Sequence, residues 1–133
     1  MSDRGRGSMA LAWTGVLLAG AAAALVRYQL VEPPAFADRC AMAVTASGWC
    51  SARTLVVAGF LSNAFGYAAL AATALALAHR RRWSAALAAA LGAVALELYC
   101  YQSGALALLL GAVLLVGSRP QHSETREHVQ AQP

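Results

Sequence analysis

Arg27, Asn63, Glu97 and three cysteines, Cys40, Cys50 and Cys100, are the groups with chemistry to offer inside or beside this chain's long apolar runs. An ionised side chain taken into hydrocarbon is strongly destabilising unless partnered, so an arginine and a carboxylate there are expected to find each other. Counted at helical rise, Arg27 lies about 27 Å along a helix from Met9, and Glu97 about 20 Å along one from Ser84. Both would then approach one surface of the same layer, and an Arg27–Glu97 ion pair is the expectation. The alternative is that each reaches headgroups or interfacial water on its own.

Cys40 and Cys50 are separated by nine residues in an expected extracytoplasmic loop, a spacing suited to a disulfide in an oxidising compartment. Cys100 has two readings, a small apolar packing residue or a third sulfur able to exchange with that pair. Asn63 has the side chain of an interhelical hydrogen bond.

The elements that must position these groups are apolar runs over residues 9–26, 54–78 and 83–117. About 18 or more such residues suffice to cross a bilayer as a helix. The first run extends to a span of 9–31 ending beyond Arg27, and the second reads as one span over 54–78. As a single helix, 83–117 would be about 52 Å long, against a hydrocarbon core of about 30 Å. Tyr99-Cys100-Tyr101-Gln102-Ser103-Gly104 supplies aromatic, polar and glycine residues at its middle, so a tight hairpin of spans 83–99 and 103–117 is expected.

The fold class read from these runs is all-α, an integral membrane four-helix bundle. Arg80, Arg81 and Arg82 lie between the second and third spans, and such clusters stay on the cytoplasmic side. Both termini are then cytoplasmic, with 1–8 as a flank, 32–53 as an extracytoplasmic loop and 118–133 as a disordered polar tail. Pro33-Pro34 is expected to force an extended exit from the first span. A secretory leader cleaved near Ala37 is the competing reading, since Arg4 and Arg6 precede an apolar run and Ala35-Phe36-Ala37 fits a small-x-small site. Its charged, proline-containing approach to that site favours an uncleaved anchor.

Helices associate in lipid through small and polar residues. Gly59, Asn63 and Gly66 share a face of the second span, Ala86, Ala90, Ala93 and Glu97 one of the third, and Gly104 and Gly111 one of the fourth. Gly20, Ala23 and Arg27 continue the pattern on the first.

Of the 133 residues, 59% are hydrophobic and 12% charged, which excludes a disordered chain. The net charge is +4, carried by ten arginines without a lysine. Topology and anionic lipid headgroups explain Arg80–Arg82 better than nucleic acid does. No phosphate loop, HExxH or GxSxG occurs. His79, His122 and His128 all lie at or beyond the cytoplasmic edge, so neither a bis-histidine haem nor another cofactor or metal is expected.

The four-helix layout with loop cysteines resembles the disulfide-generating quinone oxidoreductases and vitamin K epoxide reductases. That resemblance implies thiol exchange through Cys40, Cys50 and Cys100, although the Cys-x-x-Cys of those families is absent. Small multidrug exporters are similar in helix number and in holding a membrane carboxylate. That likeness implies a proton-coupled transporter using Glu97, although the exporters carry theirs in the first helix. The reading favoured by the sequence is a bacterial inner-membrane, multi-pass accessory or interaction subunit without a catalytic site, its partners lipid and another membrane protein or a second copy.

Overall fold

The computed structural model describes residues 3–42 and 48–118. Among them the chain is all-helical, with six α-helices and no strand. The 119–133 part of the expected tail and residues 43–47 of the expected loop lie outside the described residues.

Helix α1 (Asp3–Val26) continues into a π-turn, Arg27–Val31, closed by the Glu32 amide donating to the Arg27 carbonyl at 3.0 Å. Together, Arg6–Val31 form the one helix among the described residues that is long and apolar enough to cross a membrane by itself. The proline pair does not produce an extended exit. Pro34 opens α2 (Pro34–Met42), because a first-turn proline lacks only an amide that would have no helical acceptor anyway.

The expected continuous second span is broken. Helix α3 (Gly48–Leu61) and α4 (Ala64–His79) meet at a 64° bend. Asn63 adopts a left-handed conformation there (φ 56°), and the Ser62 hydroxyl donates back to the Ala58 carbonyl at 2.8 Å. Short polar side chains that hydrogen-bond locally tolerate that conformation and bend helices. Phe65 folds back over Gly59, and any Cβ there would stand 2.6 Å from its ring.

Helices α5 (Arg82–Glu97) and α6 (Tyr101–Gly117) form an antiparallel hairpin. Its turn is at Leu98–Cys100, and Gly104 is not its turn residue. Tyr99 takes the left-handed position (φ 67°), and the Cys100 amide donates to the Ala95 carbonyl at 2.8 Å, closing a C-terminal cap of the kind usually built on glycine. Gly104 lies instead in the α5–α6 seam, where an added Cβ would be 2.7 Å from the Leu96 nitrogen. Gly111 faces the Ala89 nitrogen at 2.5 Å by the same measure, and Gly92 meets the Leu108 backbone. Main chain packs on main chain, which is how apolar helices approach when side-chain bulk is removed.

Helix α5 is the centre of the bundle, touched by α1, α4 and α6. Its Ala88, Ala89, Gly92 and Ala95 are buried in the hairpin and α4 interfaces, while Ala93 faces Gly20 of α1. Contacts at both ends, Ser8 with Arg82 and Arg27 with Glu97, make α1 and α5 run parallel.

Candidate functional site

The chemistry-bearing groups separate to the two ends of the bundle. At the end formed by the π-turn and the α5–α6 turn, the Arg27 Nε donates to Glu32 Oε1 at 2.8 Å, the one ion pair among the described residues. The Tyr99 hydroxyl donates to the same oxygen at 3.0 Å. The Arg27 guanidinium lies 4.4 Å from the centroid of Tyr99 and 5.4 Å from that of Tyr28, within cation–π range.

Arg27 and Glu97 do come together, but not through two side chains. Arg27 Nη1 donates to the main-chain carbonyl of Glu97 at 3.4 Å, and the carboxylate it pairs with is Glu32. This corrects the expected Arg27–Glu97 ion pair, and the reason is local. The π-turn bends back the five-residue separation of Arg27 and Glu32 onto one face, so pairing them orders little chain. Glu97 ends α5, where the last carbonyls have no helical donor and a cation is favoured. The hydrogen bonds from Arg27 and then Tyr99 hold the Glu32 carboxyl below the usual carboxylate range. Sequence reasoning missed Glu32 because it sits next to Pro33, in what reads as loop. An acid five residues after a membrane-edge arginine was the available signal.

Cys40 of α2 and Cys50 of α3 form a disulfide with Cα atoms 5.4 Å apart. Cys100 is a free thiol buried beside Ala69, Ala95 and Ala107. It also borders a cavity of about 660 Å³ lined on its polar side by Asn63, Gln102 and Ser103. Asn63 is at the α3–α4 break rather than mid-helix. Its Oδ1 and the Ser103 hydroxyl both crowd Gly66, so Gly66 admits a close polar approach between α4 and α6. Of the expected packing glycines, Gly66, Gly104 and Gly111 lie between helices, whereas Gly59 packs on its own bent helix. Gly92, hidden among alanines, was missed.

At the opposite end, α4 and α5 are joined by Arg80 and Arg81 alone. Arg80 is left-handed (φ 47°), and Arg81 is extended. Arg82 Nε donates to the Ser118 carbonyl at 3.0 Å and its Nη1 to the Ser8 hydroxyl at 2.9 Å, clasping the end of α6 and the start of α1 to α5. A groove of about 570 Å³ opens beside these arginines.

In comparisons with protein-family models, curated proteins and solved structures, the chain matches none of them.

Proposed function

We propose that this chain is a multi-pass protein of a bacterial inner membrane, serving as an accessory or interaction subunit to another membrane protein. The proposed crossings are α1 with its π-turn, the bent α3–α4 pair, α5 and α6, with the arginine end in the cytoplasm. Several features support this arrangement. The Arg6–Val31 helix is about 39 Å long, enough for a core of about 30 Å. Leu17, Leu55, Leu109 and Val113 point outward from three different helices, all more than 60% exposed. Exposed Trp83 marks the arginine end, and Trp49, Tyr28 and Tyr101 mark the other, as interfacial aromatics do. The Arg80–Arg82 cluster at one end and a disulfide beyond the other match a reducing and an oxidising side. Helices α5 and α6 are short, at about 24 and 26 Å. Arginines flanking one end and tyrosines the other suit them to a locally thinned bilayer.

The observation that carries the interaction role is α3. It is 14 residues long and largely apolar, and none of its residues is fully buried within the chain. Phe60 packs half-buried against Tyr99 and the Ala69 cluster, while Leu55 and Leu61 stay exposed. Yet it is not a loose arm, since the disulfide fixes its start and the Asn63 break fixes its end. A held helix with Leu55 and Leu61 on its exposed side is suited to receive an apolar helix of a partner. The other two chemistries are less well placed. A reactive thiolate needs an exposed, electropositive setting, whereas Cys100 is buried among alanines. A proton-coupling carboxylate is expected within the bilayer, whereas Glu97 is the last residue of α5.

The test is purification of the native chain in mild detergent. A stoichiometric membrane partner is expected, lost in Leu55→Trp with Leu61→Trp while helicity and the disulfide remain. A chain that purifies alone, or a partner indifferent to those changes, would sink the reading. Flux abolished by Glu97→Gln would favour transport instead, and quinone reduction lost in cysteine variants would favour redox catalysis.

A further inference from the structure

The arginine end holds more than a topology signal. The groove of about 570 Å³ there has a cationic floor of Arg80, Arg81 and Arg82 and an apolar wall of Ala76, Val113 and Leu114. Its volume lies within the range of small-molecule sites. The three arginines are not equivalent. Arg82 is engaged by Ser118 and Ser8, which fixes the floor, whereas Arg80 and Arg81 are exposed and have no carboxylate partner among the described residues. The turn that presents them is short and constrained, with Arg80 in a left-handed conformation at a position where glycine would be easier.

Helix ends contribute with both signs. The α5 N-terminus has no side-chain cap and no acid in its first turn, so its free amides favour an anion. The α4 and α6 C-termini oppose this with about half a negative charge each. Three guanidiniums outweigh those partial charges several-fold, so the groove is cationic on balance. Its wall has the opposite character, since Val113 is largely exposed and continues the lipid-facing side of α6.

We propose that this groove is a discrete binding site for an anionic phospholipid, its phosphate between Arg80 and Arg81 and the start of an acyl chain along Val113 and Leu114. The inference rests on the membrane reading above. A free phosphate would satisfy the floor but leave the wall without a function, so the lipid is the occupant that uses both.

Native mass spectrometry of the full chain, released from nanodiscs containing equal phosphatidylglycerol and phosphatidylcholine, tests the proposal. One retained phosphatidylglycerol is expected. Arg80→Gln with Arg81→Gln should weaken retention about 30-fold, at about fivefold per guanidinium. Arg39→Gln, on α2, should leave it unchanged. Val113→Trp keeps every charge but fills the apolar wall, and it too should expel the lipid, with circular dichroism confirming the fold of each variant. The proposal is overturned if phosphatidylcholine is retained equally, if Val113→Trp has no effect, or if inorganic phosphate at millimolar concentration displaces the lipid fully. Alkaline extraction of the same membranes separates the two readings. A chain that stays in the membrane but retains no lipid refutes only the site, whereas a chain that is extracted refutes the membrane reading and the site with it.

Discussion

Each end of the bundle is closed by an arginine that captures the last carbonyl of a neighbouring helix. Arg82 holds that of Ser118 after α6, and Arg27 holds that of Glu97 on α5. The capping device is the same, but its surroundings are opposite. Arg27 has Glu32 as a counter-ion and aromatic rings beside it. Arg82 stands beside two further arginines and no carboxylate among the described residues. A helix C-terminus therefore asks only for a donor. Whether the donor's charge is then neutralised is decided separately, and here it makes one end electrically closed and the other open to anions.

The greatest disturbance of that comparison should come from the seam that ties the ends together. Gly111→Ala forces a Cβ onto the Ala89 backbone, which has no flexible side chain to yield. A loss of about 3 kcal/mol is expected, seen as a lower melting temperature in detergent and as loosening at both ends together. Gly15→Ala meets nothing within 4 Å and should be neutral or stabilising by up to about 1 kcal/mol. If both variants melt alike, the seam does not couple the ends.

Removing the disulfide with Cys40→Ser should affect one end only. Closing so short a loop is worth about 3 kcal/mol in chain entropy, lost locally. Amide exchange should rise across α2 and the start of α3 while the arginine end stays protected. Uniform deprotection would show that the ends are not independent.

Acidification should distinguish the ends more gently. Because Glu32 is held below the usual carboxylate range, its stabilising contribution is present above the ordinary carboxyl value of about 4.3 and is lost as pH falls through the lowered one. The difference in melting temperature between the wild type and Glu32→Gln should therefore shrink in acid. A constant difference would mean that the pair contributes nothing through its charge. Smallest of all should be Tyr99→Phe, which removes one hydrogen bond to Glu32 and keeps the ring over Arg27. Double-mutant analysis with Glu32→Gln should show coupling, and additivity would assign the hydroxyl to solvent.

The large divisions of the fold were legible because apolar length and the Arg80–Arg82 interruption act over whole helices. The disulfide was legible because two cysteines ten positions apart have few other uses in such a loop. What was not legible depends on backbone detail. The bend at Asn63 and the turn at Tyr99 use left-handed residues that are not glycine, so no glycine marks them in the sequence. At Tyr99 the ring of Phe60 adds a tertiary contact to the local cap. The partner of Arg27 was misread because Glu32, beside Pro33, reads as loop, and only the π-turn brings it back onto the face of Arg27. Gly92 was overlooked because, in an alanine-rich helix, small size alone does not say which face meets the neighbour.

The wide turn at Arg27–Val31 has one more consequence, for chain length. In regular α winding, residues five apart diverge by about 140°, whereas residues four apart diverge by about 40°. Deleting Gln29 should thus let the segment rewind as ordinary helix with the guanidinium and its counter-ion still in reach. Adding a residue should swing the acid away and release the lock. Evolution could shorten this stretch by one codon at little cost, but could not lengthen it without giving up the latch.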